Sequence, residues 1–391
     1  MKKIISIALA LLMVAVMLPV MAMADEATVV KTKDELTAAV TKGGEVTLGD
    51  NITASITIPA GQTVTLNLGA FTLTGNGNHT ITNNGTLTVV GTTGKVVNNV
   101  GSKGALFNNV GAIANLNGGT FEGNTWYVIK NLGTITMNGA SVDQKDAGSS
   151  AIDNGWYDST SKSGHGNDCG IVYPGGYAKL TIANGNFNGG MNTVKNDDYG
   201  VLEISGGTFS NTNGPTVLNW NVATISGGEF KVNSTATSVI ANGSFNNDAD
   251  KGQLTITGGK FNSADNGGGA LLGYGDGAPN GGNLSITGGN FNGDLPGVGA
   301  YPYHIAITGG KFEDREGAAN YIPSNMEIDG NGNVVNKSIT IIVPSDGGNT
   351  TTTPSTDNTK NPSTGANDFV GVAAAMAVVS LLGAAAVIRK K

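Results

Sequence analysis

One phrase recurs along this chain and restricts its fold more than any other feature. It reads Leu202-Glu203-Ile204-Ser205-Gly206-Gly207-Thr208-Phe209, and it returns as ATISGGEF ending at Phe230, LTITGGKF at Phe261, LSITGGNF at Phe291 and IAITGGKF at Phe312. Looser copies end at Phe121 and Phe187. Successive phenylalanines from Phe187 onward stand 22, 21, 31, 30 and 21 residues apart, and the 66 residues from Phe121 to Phe187 make three intervals of 22. A fixed period of this length is the mark of a repeat architecture whose unit is one coil of about 22 residues. The two long intervals carry extra Asn, Ser and Gly, the composition of surface-loop insertions.

Within a unit, Leu254, Ile256 and Phe261 alternate with Thr255, Thr257 and Lys260, so one set faces inward and the other outward. Gly258-Gly259 marks a corner between two short strands, and the β-branched residues favour strand over helix. Three buried apolar side chains stabilise a coil by roughly 1.5 to 3 kcal/mol each, while ordering its residues costs roughly 1 to 2 kcal/mol apiece. A single coil therefore cannot fold alone. Coils laid on one another can, because each adds a backbone hydrogen-bond ladder and rows of Leu, Ile and Phe to its neighbours.

The expected fold class is all-β, a solenoid of parallel strands of about 13 coils over residues 43–343. The recurring pattern resembles the right-handed parallel β-helix repeats of secreted Gram-positive proteins, and the hand follows the general preference of parallel crossovers. Open ends of such a stack need covers. Thr32 to Val40, TKDELTAAV, has a capping Thr, early acids and helical spacing, so residues 25–42 are expected to form an N-terminal cap segment with a short helix. Tyr321 to Asn336 breaks the repeat and is expected to close the other end.

Both termini read as processing signals. Lys2 and Lys3, the apolar run Ile4 to Val20 and Ala22-Met23-Ala24 form a secretory signal peptide over residues 1–24, with cleavage between Ala24 and Asp25. Phe369 to Ile388 is an uncharged, mostly apolar run long enough to span a bilayer, followed by Arg389, Lys390 and Lys391. Ahead of it stands Asn361-Pro362-Ser363-Thr364-Gly365. Motif, span and basic tail in this order resemble the cell-wall sorting signal of Gram-positive surface proteins. That resemblance implies transient membrane spanning, cleavage by a sortase between Thr364 and Gly365, covalent attachment to peptidoglycan and an extracellular location. Asn361 stands where the commonest form of the motif has Leu. Residues 361–365 are thus the sorting motif and residues 366–391 the transmembrane span and basic tail, while the Thr/Ser/Pro-rich stretch 344–360 reads as a spacer.

After both cleavages the chain keeps 17 basic and 28 acidic residues, a net charge of −11 with no basic cluster, which argues against nucleic acid as a partner. A single cysteine, Cys169, excludes an internal disulfide, and with only His79, His165 and His304 no Cys/His zinc cluster can be assembled. Asp329-Gly330-Asn331-Gly332-Asn333 begins like a calcium loop, but Val334 and Thr340 occupy the positions of the required Gly and Glu, so it reads as a turn. No metal and no cofactor is expected. Asparagines before the repeats, Asn83-Asn84, Asn108-Asn109, Asn131 and Asn196, tolerate turn conformations and can stack their amides in ladders, a structural role preferred over sugar binding.

Parallel β-helices include polysaccharide lyases and hydrolases, whose catalytic sets can be compared with the residues here. Pectate lyases of this fold use an arginine base with acidic calcium ligands, and here only Arg315 survives processing, near the C-terminal end. Polygalacturonases carry Asn-x-Asp, Asp-Asp, Gly-His-Gly and Arg-x-Lys in order; Asp197-Asp198 and Gly164-His165-Gly166 occur here in reversed order with no Arg-x-Lys. No catalytic set is complete, so no enzyme activity is expected. The stretch Ser149 to Gly176 departs most from the repeat, and aromatic-bearing insertions on solenoids often form the binding face. Trp156, Tyr157, His165 and Tyr173 are the candidate ligand contacts. The expectation is a wall-attached adhesin or recognition stalk for a host or dietary glycan or matrix protein. A surface polysaccharide lyase or glycoside hydrolase, and a purely structural wall spacer, are the alternatives.

Overall fold

The structure, a computed structural model, describes residues 27–156, 176–243, 252–264, 269–274, 283–296 and 304–338. The sorting motif, both cleavage sites and the apolar C-terminal run lie outside them. Three parallel sheets make up the body. Sheet 1 has 12 strands, from Thr28–Val30 and Gly44–Leu48 to His304–Ile307; sheet 2 has 11, from Ile52–Thr53 to Lys311–Phe312; sheet 3 has nine, from Ile56–Ile58 to Leu272–Tyr274. From Gly44 to Phe312 successive described strands belong to different sheets, and each pairs with its counterpart one coil away. This is a β-solenoid.

The Leu254 unit shows how sequence becomes coil. Gln253–Ile256 lies in sheet 1 and Lys260–Asn262 in sheet 2, with Leu254, Ile256 and Phe261 buried and Thr257 and Lys260 exposed. The two corner glycines serve different needs. Gly259 takes φ +109°, a conformation L side chains rarely adopt, whereas a Cβ on Gly258 would collide with the carbonyl oxygen of Ser226 in the preceding coil. Inside, Phe187, Phe209, Phe230, Phe261, Phe291 and Phe312 form one stack with ring centroids 4.6–4.8 Å apart. That distance is the inter-strand spacing, so each ring rests on the ring of the next coil.

A second ladder runs inside the corner after sheet 3. Asn83, Asn108, Asn131, Asn154, Asn196, Asn219 and Asn242 are buried, and each Nδ2 donates to the next Oδ1 at 2.7–2.8 Å. These amides also bond main-chain carbonyls, for example Asn131 to Lys179 at 2.9 Å. The turn therefore satisfies its buried polar groups from within the stack.

The repeat count differs from expectation. The structure has about ten turns, nine of them contributing to all three sheets, rather than 13. Two causes are visible. Phe121 pairs with Val142 and Val142 with Phe187, so the 66 residues between the phenylalanines hold two turns, the second swollen by the insertion that follows Asn154. Beyond Phe312 the chain leaves the coil path altogether, forming helix α2 (Arg315–Ala319) and an antiparallel pair, Met326–Ile328 with Val334–Asn336.

The first coil carries helix α1 (Lys33–Lys42). Thr32 Oγ1 accepts from Glu35 N while Glu35 Oε2 accepts from Thr32 N, a reciprocal capping box, and Leu36, Ala39 and Val40 are buried against the core. At the far end Tyr321, Ile322, Met326 and Ile328 pack on the core, and Phe312 N donates to Gly332 O. Asp329 Oδ1 accepts from the main-chain N–H of Asn331 and of Asn333, each at 2.8 Å, so the calcium-like segment is a turn closed by its own aspartate.

Candidate functional site

Sheet 3 is built from three-residue strands of one pattern: Ile129-Lys130-Asn131, Ile152-Asp153-Asn154, Val194-Lys195-Asn196, Val217-Leu218-Asn219. Period-two alternation sends the first and third residues inward, to the apolar core and the asparagine ladder, and the middle residue outward. Register then sets Lys130, Asp153, Lys195 and Leu218 side by side on consecutive coils. Positions that should face water are covered instead. Lys130 and Asp153 are fully buried, and Lys195 is 8% exposed.

Charges buried this way must be matched. Lys130 Nζ lies 3.3 Å from Asp153 Oδ1 and 3.8 Å from Asp197 Oδ2. Lys195 Nζ lies 2.8 Å from Asp197 Oδ1 and 3.9 Å from Asp153 Oδ2. Aromatic faces complete the surroundings, with Lys195 Nζ 4.5 Å from the centre of the Trp220 ring and Lys130 Nζ 5.3 Å from that of Tyr127. Burial is the strongest single influence on Asp153 and pushes its pKa up, but the charges of Lys130 and Lys195 with hydrogen bonds to Asp197 and Tyr127 together hold the carboxyl below the usual carboxylate range. Asp153 is therefore ionised at neutral pH.

Beside this cluster opens a groove of about 510 Å³, within the range of small-ligand sites. Leu218, Trp220 and Ala241 form an apolar patch in its lining, hydroxyl and amide groups such as those of Ser149, Asn192, Asn213 and Ser238 provide polar walls, and Met191 stands half exposed. Tyr127 and Lys195 also line it, which joins the groove to the ionic cluster. Such a lining offers apolar contact and hydrogen bonding to one ligand at once.

The candidate contacts chosen from sequence fare differently. Trp156 is 3% exposed, packs with Leu132 and Ala178, and stacks on Tyr199 with ring centroids 5.4 Å apart. Tyr157, His165 and Tyr173 lie outside the described residues, as do Cys169 and Gly164-His165-Gly166. Asp197 and Asp198 follow the strand Val194–Asn196 in a turn, so the rule that adjacent strand residues face opposite sides does not govern them; both are buried. Lys130, Asp153, Lys195 and Trp220 were not anticipated. The signal available was the repeated apolar-x-Asn triplet, whose middle position holds Lys, Asp and Lys in three successive coils.

Among the described residues no group of three or more His, Cys, Asp and Glu side chains could hold a metal ion. No protein-family model, curated protein or solved structure matches this chain.

Proposed function

We propose that this chain is a surface protein of a Gram-positive bacterium, exported by residues 1–24, joined to peptidoglycan by a sortase at Thr364, and using its β-solenoid as a stalk that recognises a glycan. Its coils are taken to wind right-handed, as parallel crossovers do. The observation that carries the recognition reading is the groove on sheet 3, where an apolar patch of Leu218, Trp220 and Ala241 lies among hydroxyl and amide groups. A sugar ring has the same two-sided chemistry, apolar C–H faces and a polar rim of hydroxyls. Tyr157, His165 and Tyr173 remain candidate contacts, carried by the insertion that begins next to Trp156.

The carboxylates next to the groove favour a second reading, a polysaccharide-cleaving enzyme. Glycoside hydrolysis needs two carboxyls free to face the sugar, and here Asp153 and Asp197 are buried and engaged with Lys130 and Lys195, which supports binding over cleavage.

The test is an array of plant, mucin and bacterial polysaccharides probed with the intact chain and with Ala236→Trp, which places a large ring at an exposed position of the groove lining. Binding lost in Ala236→Trp, with no new reducing or unsaturated ends, is the expected result. Product release would favour the enzyme, and silence on every glycan would leave a structural spacer. For anchoring, Thr364→Ala should hold the protein in the membrane fraction; release of that variant by peptidoglycan hydrolase alone would refute sortase attachment.

A further inference from the structure

We infer that the outer face of sheet 2 docks a second copy of this chain, the two solenoids lying side by side and running the same way about a two-fold axis parallel to the stack. Each strand of sheet 2 centres on one buried side chain and turns the residues on either side of it outward, which makes two rows along the stack. In the last four coils these triplets read Glu229-Phe230-Lys231, Lys260-Phe261-Asn262, Asn290-Phe291-Asn292 and Lys311-Phe312-Glu313. The phenylalanines are buried. The charged residues beside them are exposed and take part in no ion pair among the described residues. Two adjoining troughs of about 500 and about 310 Å³ run over these coils and share Asn262 and Asn292, so the surface is open.

Charge identifies the occupant. A two-fold axis along the stack sets the first row of one copy against the second row of the other, coil by coil. Glu229 then meets the partner's Lys231, Lys311 meets the partner's Glu313, and the amides of Asn262 and Asn292 receive the partner's Lys260 and Asn290. In every other strand of sheet 2, from Thr72 and Thr74 through Lys95 and Val97 to Thr208 and Ser210, the two flanking positions hold at most one charge. No coil therefore opposes like charges. Matching the whole face with one copy turned end over end would instead set Lys95 against the partner's Lys260. Shape agrees with charge. Asn233, Ser263 and Ala264 line the larger trough beyond the second row, so the chain rises along that edge. Beyond the first row the edge is a Gly-Gly corner in coil after coil, from Gly206-Gly207 to Gly309-Gly310, with no side chain to stand in the way. The same two-fold lays the raised edge of one copy over the glycine corner of the other, whereas the end-over-end arrangement presses raised edge on raised edge. Ten ladder steps of about 4.8 Å make a face about 48 Å long. With a width of about 15 Å for two rows and both edges, each copy covers on the order of 700 Å², close to the roughly 800 Å² of a standard interface.

The experiment measures the dimer affinity of the intact chain in mild detergent by sedimentation equilibrium, at about 0.05 M and about 0.5 M salt. Wild type, Glu229→Lys and the double variant Glu229→Lys with Lys231→Glu are compared. Both positions are exposed, and unfolding midpoints recorded for each protein should agree. Wild type should dimerise and weaken as salt rises. Glu229→Lys sets lysine against the partner's Lys231 at two symmetry-related points and should weaken the dimer at least about tenfold. The double variant should return to within about threefold of wild type, because its coil again holds one charge of each sign facing its opposite. In an end-over-end dimer of the last four coils Glu229 would face the partner's Lys311 and Lys231 the partner's Glu313, so the double variant would be weaker still than the single one. A wild type that stays monomeric at about 0.1 mM overturns the proposal. So does a dimer that Glu229→Lys leaves unchanged, or a double variant no tighter than the single one.

Discussion

Replacing Asn154 by alanine tests whether the asparagine ladder is a structural spine. Asn154 accepts from Asn131 Nδ2 at 2.7 Å, donates to Asn196 Oδ1 at 2.8 Å and donates to Val201 O at 3.1 Å. The substitution removes all three bonds from a fully buried position. Asn131 keeps its bond to Lys179 O, so the heaviest loss falls on Asn196 Oδ1, an acceptor left inside the stack. Three bonds at about 1 kcal/mol each, plus about 1 to 2 kcal/mol for the stranded acceptor, give a destabilisation of about 4 to 5 kcal/mol. Urea unfolding followed by circular dichroism measures it. A second variant supplies a pH signature: in Asn154→Asp the new carboxyl must be protonated to donate to Asn196, so its folded pKa is raised above the unfolded value of about 4. Sign then follows from linkage. The Asp variant is most stable below about pH 4 and loses stability as pH rises through its raised folded pKa, opposite to an ordinary buried ion pair. A cost below about 1 kcal/mol for the alanine variant, or a flat pH profile for the aspartate variant, would refute the ladder as a source of stability.

Other perturbations probe different parts of the fold. Gly259→Ala, at φ +109°, should lower stability by about 1 to 3 kcal/mol, while Gly330→Ala, which meets nothing within 4 Å, should leave the melting temperature unchanged. In the ionic cluster, Asp153→Asn removes the nearer carboxylate from Lys130, leaving Asp197 at 3.8 Å, and should cost about 3 kcal/mol, whereas Lys130→Met with Asp153→Leu removes one charge of each sign and should cost less than the single change. Burial, followed by the charge of Lys103, lowers the His79 pKa to about 4. A folded value below the unfolded one means a contribution that is complete above about pH 6.5 and fades as pH falls toward 4, on the order of 1 to 2 kcal/mol after solvent screening. Comparing wild type with His79→Gln across pH 4 to 8 isolates it, and a profile identical in both proteins would contradict the assignment.

How far the sequence could be read depended on what each residue answers to. The Leu-x-Ile-x-Gly-Gly-x-Phe phrase answers to its own coil and to identical coils on either side, so period, inward face and glycine corner were all visible in one copy of it. The coil count was less so, because the two turns from Phe121 to Phe187 differ in length and happen to add up to three average intervals. Lys130, Asp153 and Lys195 meet only because the register skips a long insertion between the strands Ile152–Asn154 and Val194–Asn196. Spacing along the chain does not reveal that meeting. Nor does it reveal that these outward side chains are covered, since strand alternation predicts facing and not the packing of loops above a face. Trp156 shows the converse: an aromatic on an insertion looks like a ligand contact, yet its ring is almost wholly enclosed against Tyr199.

Strands in this fold meet across coils and not within them. In a Cys169→Ser background, Thr224→Cys with Thr255→Cys places thiols on residues paired in register in sheet 1, and Thr255→Cys with Asn262→Cys places them where a hairpin folded about Gly258-Gly259 would bring them together. Mild oxidation should join the first pair, whose Cα separation of about 4.8 Å suits a disulfide, and leave the second reduced. Cross-linking of the second pair with the first left free would mean that these repeats fold as antiparallel hairpins, and the stacked-coil account would be wrong.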